Sequence, residues 1–161
     1  MEPARLPAAT RRSLLRTALG VLGSCGLGQA MALRSARATP DEMAAAIHAV
    51  VGEAPVRPGK VTIDVPPLVE NGNSVPLTVA VESPMTEADH VTGIYLFNEK
   101  NPQPNIANFH LGPRAGRASV STRIRLADSQ KIVAIAQLCD GSFWSASADC
   151  IVTIAACVEG I

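Results

Sequence analysis

From residue 60 onwards the chain alternates between apolar and polar positions. The runs KVTIDV (60–65), VPLTVAVE (75–82), VTGIYLFN (91–98), ASVSTRIRL (118–126), KIVAIAQLC (131–139), SFWSAS (142–147) and CIVTIAA (150–156) are short and rich in β-branched residues. A period of two predicts half-buried strands. PPLVENGNS, SPMTEAD, NEKNPQPN, LGPRAGR, ADSQ and DG lie between them and carry turn chemistry. Asp140-Gly141 predicts a tight hairpin, with Cys139 opposite Ser142 and Gln137 opposite Trp144. Seven strands without helical periods between them predict an all-β, antiparallel β-sandwich.

One segment ahead of the strands has a different period. Thr39-Pro40-Asp41-Glu42 places an N-cap, a first-turn proline and the acid of a capping box before MAAAIHAVV and Gly52. This predicts a short helix over 40–51, with His48 on its surface.

The alternation also sorts the last strand. Cys150, Val152, Ile154 and Ala156 share one face; Ile151, Thr153, Ala155 and Cys157 share the other. Thr153 marks the second face as the wetter one. Cys150 therefore points into the core, Cys157 leaves on the opposite side, and the two are poorly placed to pair.

Residues 1–38 do not fit the sandwich. Thr10-Arg11-Arg12 precedes the apolar run LLRTALGVLGSCGLGQAMAL, which Arg16 and several glycines break up. Ala36-Arg37-Ala38 then offers the small residues that signal peptidase cuts after. The order is that of a cleaved twin-arginine export signal, which predicts a periplasmic protein exported folded. A poor transmembrane helix and lipidation at Cys25 are the alternatives. The mature chain carries no membrane span.

Removing this segment changes the charge. The whole chain has 14 basic and 14 acidic residues, but six Arg and one Glu lie in the first 38. The remainder carries a net charge of −5, which argues against a nucleic-acid partner. Cys25 is also lost, leaving Cys139, Cys150 and Cys157. An odd number in an oxidising compartment leaves one thiol without an intramolecular partner.

Few other residues point to chemistry. His48, His90 and His110 are scattered over a helix, a loop and a strand end, without metal-ligand spacing. There is no nucleophile elbow, phosphate loop or cofactor motif, and no cofactor is expected. Gly112-Pro113-Arg114-Ala115-Gly116-Arg117 reads first as a proline-stiffened turn, and second as an anion-holding loop. A Cys139–Cys150 disulfide needs a bulge or a different strand order; buried reduced thiols are the simpler reading. Cys157 lies on the tail Val158-Glu159-Gly160-Ile161 with no adjacent His or Lys. It suits modification by another protein's chemistry better than nucleophilic catalysis. An incidental terminal cysteine is the other reading. An exposed thiol there also predicts a reducible dimer on non-reducing gels.

FNEKNPQPNIANFHLGPRAGRASVSTRIRLADSQ (97–130), DGSFWSASAD (140–149) and the VTIAAC ending (152–157), together with the export signal, resemble SoxY, the sulfur carrier of the bacterial thiosulfate-oxidising Sox system. The resemblance implies an immunoglobulin-like sandwich over 39–154 and a mobile C-terminal arm over 155–161, with substrate attached to Cys157. It implies a SoxZ-like sandwich partner. It also implies processing by a haem-containing SoxXA-like enzyme, a manganese SoxB-like hydrolase and, where present, a SoxCD-like enzyme. The chain itself would be no enzyme.

One departure stands out. The family's usual ending is Gly-Gly-Cys-Gly-Gly, whereas here Ala155, Ala156, Val158, Glu159 and Gly160 surround the cysteine. Alanines are stiffer than glycines, and Val158 and Glu159 add bulk and charge. This leaves two further readings: a variant carrier for another sulfur compound, or an interaction subunit without carrier chemistry.

Overall fold

The computed structural model describes residues 38–156. The expected export signal, apart from its last residue Ala38, and residues 157–161, including Cys157, lie outside the described residues.

Thr39 opens the helix α1 (Pro40–Val51) through the predicted capping box. Its hydroxyl accepts from the Glu42 N–H at 3.3 Å, and the Glu42 carboxylate accepts from the Thr39 N–H at 2.8 Å. Such a cap contributes about 1 kcal/mol. Gly52 ends the helix at φ 61°, and its N–H donates to His48 O. His48 is exposed, as expected, and reaches Glu53 at 3.1 Å. Ala38, the last residue before the expected cleavage site, is buried and donates its N–H to Asn101 O at 2.9 Å.

Nine strands follow among the described residues: β1 (Val56–Pro58), β2 (Val61–Asp64), β3 (Leu68–Asn71), β4 (Val75–Val81), β5 (Val91–Asn98), β6 (Asn105–His110), β7 (Ala118–Ile124), β8 (Gln130–Leu138) and β9 (Phe143–Ile154). The larger sheet runs β1-β9-β8-β5-β6, with β3 also paired to β9; the smaller runs β2-β4-β7. The long ladders are antiparallel, giving the expected immunoglobulin-like sandwich. The short strands β1 and β3 join β9 in parallel, near its two ends.

Alternation explains which side chains meet. In β4, Val75, Leu77, Val79 and Val81 are all buried. They pack against Ile94, Leu96, Ile132, Ala134, Ala136 and Cys150 from the larger sheet. β5 is buried on both faces because α1 covers the outer one: Met43 packs with Phe97, Ile135 and Phe143. Fully burying a side chain such as Phe97 contributes about 2–3 kcal/mol.

Three sequence expectations change. First, β1, β3 and β6 lie within stretches read as loops, or left unassigned. Strands of three to six residues carry too little pattern to separate from turns; β1 and β3 form only because β9 offers an open edge. Second, SFWSAS and CIVTIAA are one strand. The polar stretch at Ser147 to Asp149 looks like a break, yet the ladder with β8 continues through Ala148↔Ile132 and Asp149↔Lys131. Third, the β8–β9 register is shifted by one residue, so Gln137 faces Phe143 and Ala136 faces Trp144. The turn has three residues, not two. Gly141 takes φ 80° and donates to Leu138 O, and Leu138 N donates to Ser142 O. The left-handed glycine makes this a type I turn with a bulge.

Candidate functional site

The described residues end one before Cys157, so the local structure is that at the root of the expected arm. β9 carries the chain to Ile154, and Ala155 is exposed. Ala156 is 4% exposed and donates its N–H to Leu126 O at 3.0 Å. Leu126 in turn donates its N–H to Gly72 O at 2.8 Å, and Gly72 donates to Ile154 O at 2.8 Å. Three segments far apart in sequence thus close a ring of backbone hydrogen bonds: the β3–β4 turn, the chain after β7, and the end of β9.

Gly72 is required there for space. A Cβ would overlap Leu126 O and would stand 2.9 Å from Ala156 N and 3.0 Å from Val152 Cγ1. Leu126 is fully buried at 0% exposure, which fixes its backbone. Of the two alanines assigned to the arm, Ala155 faces solvent and Ala156 is held by the domain. Val158, Glu159 and Gly160 lie outside the described residues with Cys157. Sequence reasoning missed Gly72 and Leu126. The stretch PPLVENGNS signalled a turn, but not that a second segment passes against it.

Leu68, Ile151 and Ile154 are the large apolar side chains exposed among the described residues, at 60%, 58% and 64%. All three lie on β3 and the far half of β9, beside the root, and Leu68 faces Ile151 across the ladder. Thr153 on the same face as Ile151 is exposed too, so the second face is the wetter one, as read.

The other two thiols are distinct from each other. Cys150 is buried at 1%, and its thiol donates to Pro66 O at 3.3 Å. Burial pushes its pKa above the ordinary value of 9.0. Cys139 is free and exposed at the hairpin turn, which corrects the expectation that both are buried. Its Sγ contacts Ala88 O and the His90 N–H, both at 3.5 Å. Gln130 lies opposite Cys150 and Cys139 follows the far end of β8, so strand rise separates the two by roughly 25–30 Å. No disulfide joins them. The exposed Cys139 also gives a disulfide-linked dimer a second possible thiol besides Cys157.

A labelling prediction follows. Iodoacetamide at pH 8 will alkylate Cys139 in the folded protein but reach Cys150 only after denaturant is added, as peptide mass mapping will show. The raised pKa gives a pH effect of known sign. The unfolded thiol loses its proton first, so stability is complete below about pH 9 and declines as pH rises towards the folded value. The urea midpoint should fall between pH 8 and 10 more in wild type than in Cys150→Ala.

No group of three or more His, Cys, Asp or Glu gathers among the described residues. His90 binds Thr86 O at 3.0 Å through Nδ1, and His110 stands edge-on to Tyr95. Gly112 to Arg117 forms the predicted stiff turn, with a short 3-10 segment at Pro113–Ala115 and Gly116 at φ 75°. Asp140 is held below its ordinary carboxylate value by the Ser142 hydroxyl and backbone N–H, with Lys60 adding a smaller effect.

The fold defines a class before it defines a family. The superoxide reductase (neelaredoxin) of Ignicoccus hospitalis superposes with a TM-score of 0.52 at 19% identity, covering 73% of this chain and 95% of its own. That of Nanoarchaeum equitans superposes with a TM-score of 0.50 at 15% identity, covering 59% and 99%. At these identities only the sandwich is shared. The sulfur carrier protein SoxY from Chlorobium limicola f. thiosulfatophilum is similar at 32% identity with a TM-score of 0.60, covering 71% of this chain and 98% of that one. The family model of the sulfur oxidation protein SoxY matches residues 47–157. The chain belongs to the SoxY family. No curated protein sequence matches it.

Proposed function

We propose that this protein is a periplasmic covalent carrier of sulfur intermediates in thiosulfate oxidation, with Cys157 as the attachment point. The observation that carries the reading is the extent of the family match, which runs to Cys157. The root supports it, because the fold holds Ala156, the residue just before the cysteine, at the edge of the domain. The Cys150 thiol is buried and hydrogen-bonded, so it is a poor alternative.

In this reading the chain bears substrate and catalyses nothing itself. The Cys157 thiol loses its proton and two electrons leave as its sulfur joins the terminal sulfur of thiosulfate, giving Cys–S–S–SO₃⁻. The electrons pass to a haem-containing SoxXA-like partner. Water then cleaves the S–SO₃ bond on a manganese SoxB-like hydrolase, releasing sulfate and leaving Cys–S–S⁻. A SoxCD-like enzyme oxidises that sulfur further where it is present. A SoxZ-like subunit is the proposed sandwich partner. Exposed Leu68 and Ile151, paired across the β3–β9 ladder, present apolar side chains of the kind such a subunit covers. The twin-arginine segment is the proposed export route.

Intact mass of the protein from thiosulfate-grown cells tests this. Species heavier by one thiosulfonate or one sulfur atom, removed by reductant and mapped to the C-terminal peptide, are expected. A single unmodified mass under all sulfur-oxidising conditions would overturn the proposal.

A further inference from the structure

The side chain of Asn101 ties the loop after β5 to the segment that holds Ala156. Asn101 accepts from the Ala127 N–H at 2.9 Å through Oδ1 and donates through Nδ2 to Arg125 O at 2.8 Å. It therefore brackets Leu126, gripping the residue on either side of it. Leu126 is the residue whose carbonyl holds Ala156 and whose N–H holds Gly72. Asn101 is fixed in turn. Its Oδ1 also accepts from Gln130 Nε2 at 2.9 Å, and its N–H donates to Asn98 Oδ1 at 3.1 Å. Gln130 is 5% exposed, Asn98 is fully buried, and Gln130 Oε1 accepts from the Lys100 N–H at 2.8 Å. Lys100 reaches Asp128 at 3.4 Å across the same two loops.

The bracket has a physical consequence. Arg125 to Ala127 lies between β7 and β8 and has no strand partner, so its backbone groups need other partners. One amide supplies both a donor and an acceptor in fixed geometry, which few side chains can do. We infer that Asn101 is a positioning residue for the carrier arm. It holds the Leu126 backbone where Ala156 docks, and so sets the point at which the arm leaves the domain. The consequence for sulfur loading rests on the Cys157 reading above; the positioning itself does not.

Amide hydrogen exchange separates positioning from general stability. Asn101→Asp keeps the shape and the acceptor but turns an oxygen towards Arg125 O. In the full-length protein the Ala156 amide should exchange about tenfold faster, the factor for one lost hydrogen bond in a local opening. The amide of Ala134, in a strand paired on both sides, should be unchanged. If Asn101→Asp fails to fold, Gln130→Glu removes only the support behind Asn101, and about threefold is expected at Ala156. An Ala156-to-Ala134 exchange ratio equal to wild type in the variant that folds would overturn the inference. Sulfur adduct at Cys157 in thiosulfate-grown cells should fall at least threefold in the same variant, with maleimide labelling of the thiol unchanged. If wild type itself carries no adduct, the carrier reading fails while the exchange result still decides the positioning.

Discussion

Cys157→Ser will abolish all sulfur adducts and all thiosulfate-dependent growth supported by this protein. Cys150→Ser and Cys139→Ser will retain most of both. The contrast follows from the chemistry of the three thiols. Only a thiolate attacks or is oxidatively coupled, and an exposed thiol of ordinary pKa is a few per cent ionised near neutrality. Cys150 is below that, because burial disfavours its charged form and its proton is used on Pro66 O. Cys139 is exposed, but sits at a hairpin turn whose backbone is hydrogen-bonded to His90. It can be alkylated by a small reagent yet cannot extend into a partner enzyme. Hydroxyl replaces thiol in Cys157→Ser at nearly the same volume, so the fold is unaffected and thermal unfolding should match wild type within about 1 °C. Adducts persisting in Cys157→Ser would move the attachment site to Cys139.

Gly72→Ala should be the most damaging single-methyl change at the root. The added carbon meets backbone atoms, Leu126 O and Ala156 N, which cannot rotate away as a side-chain tip can. Relief requires opening the ring of hydrogen bonds between Gly72, Leu126, Ile154 and Ala156. Steric and hydrogen-bond losses together should cost about 2–3 kcal/mol. For a domain of this size that lowers the melting temperature by roughly 10 °C. Gly112→Ala is the control. Nothing lies within 4 Å of its Cβ position and its φ is extended, so its melting temperature should be that of wild type. Equal melting temperatures for Gly72→Ala and wild type would mean that the β3–β4 turn moves freely away from the root.

The ending AACVEGI takes on a different meaning with the root in view. In the sequence, Ala155 and Ala156 look like two stiffened positions of a mobile arm. In the fold, Ala156 is a docked residue, buried and hydrogen-bonded, with its backbone nitrogen close to Gly72. Substitution of glycine by alanine there adds rigidity where the chain is held already. The departure from the glycine-flanked ending that the resemblance implies therefore falls on Val158 and Glu159.

Local pattern was enough for the helix with its capping box, for β4, β5 and β8 to within a residue, and for the sandwich they form. Strands alternate because one face is buried, and that alternation is written residue by residue. It was also enough to turn Cys150 inward. The tertiary structure alone decided the rest. β1 and β3 exist because β9 has an open edge to offer, and β9 runs unbroken through Ser147 to Asp149 because β8 continues beside it. The ring at Gly72, Leu126 and Ala156, and the Asn101 bracket behind it, join residues separated by 24 or more positions. These contacts depend on which distant segments meet, so no local periodicity in the sequence points to them.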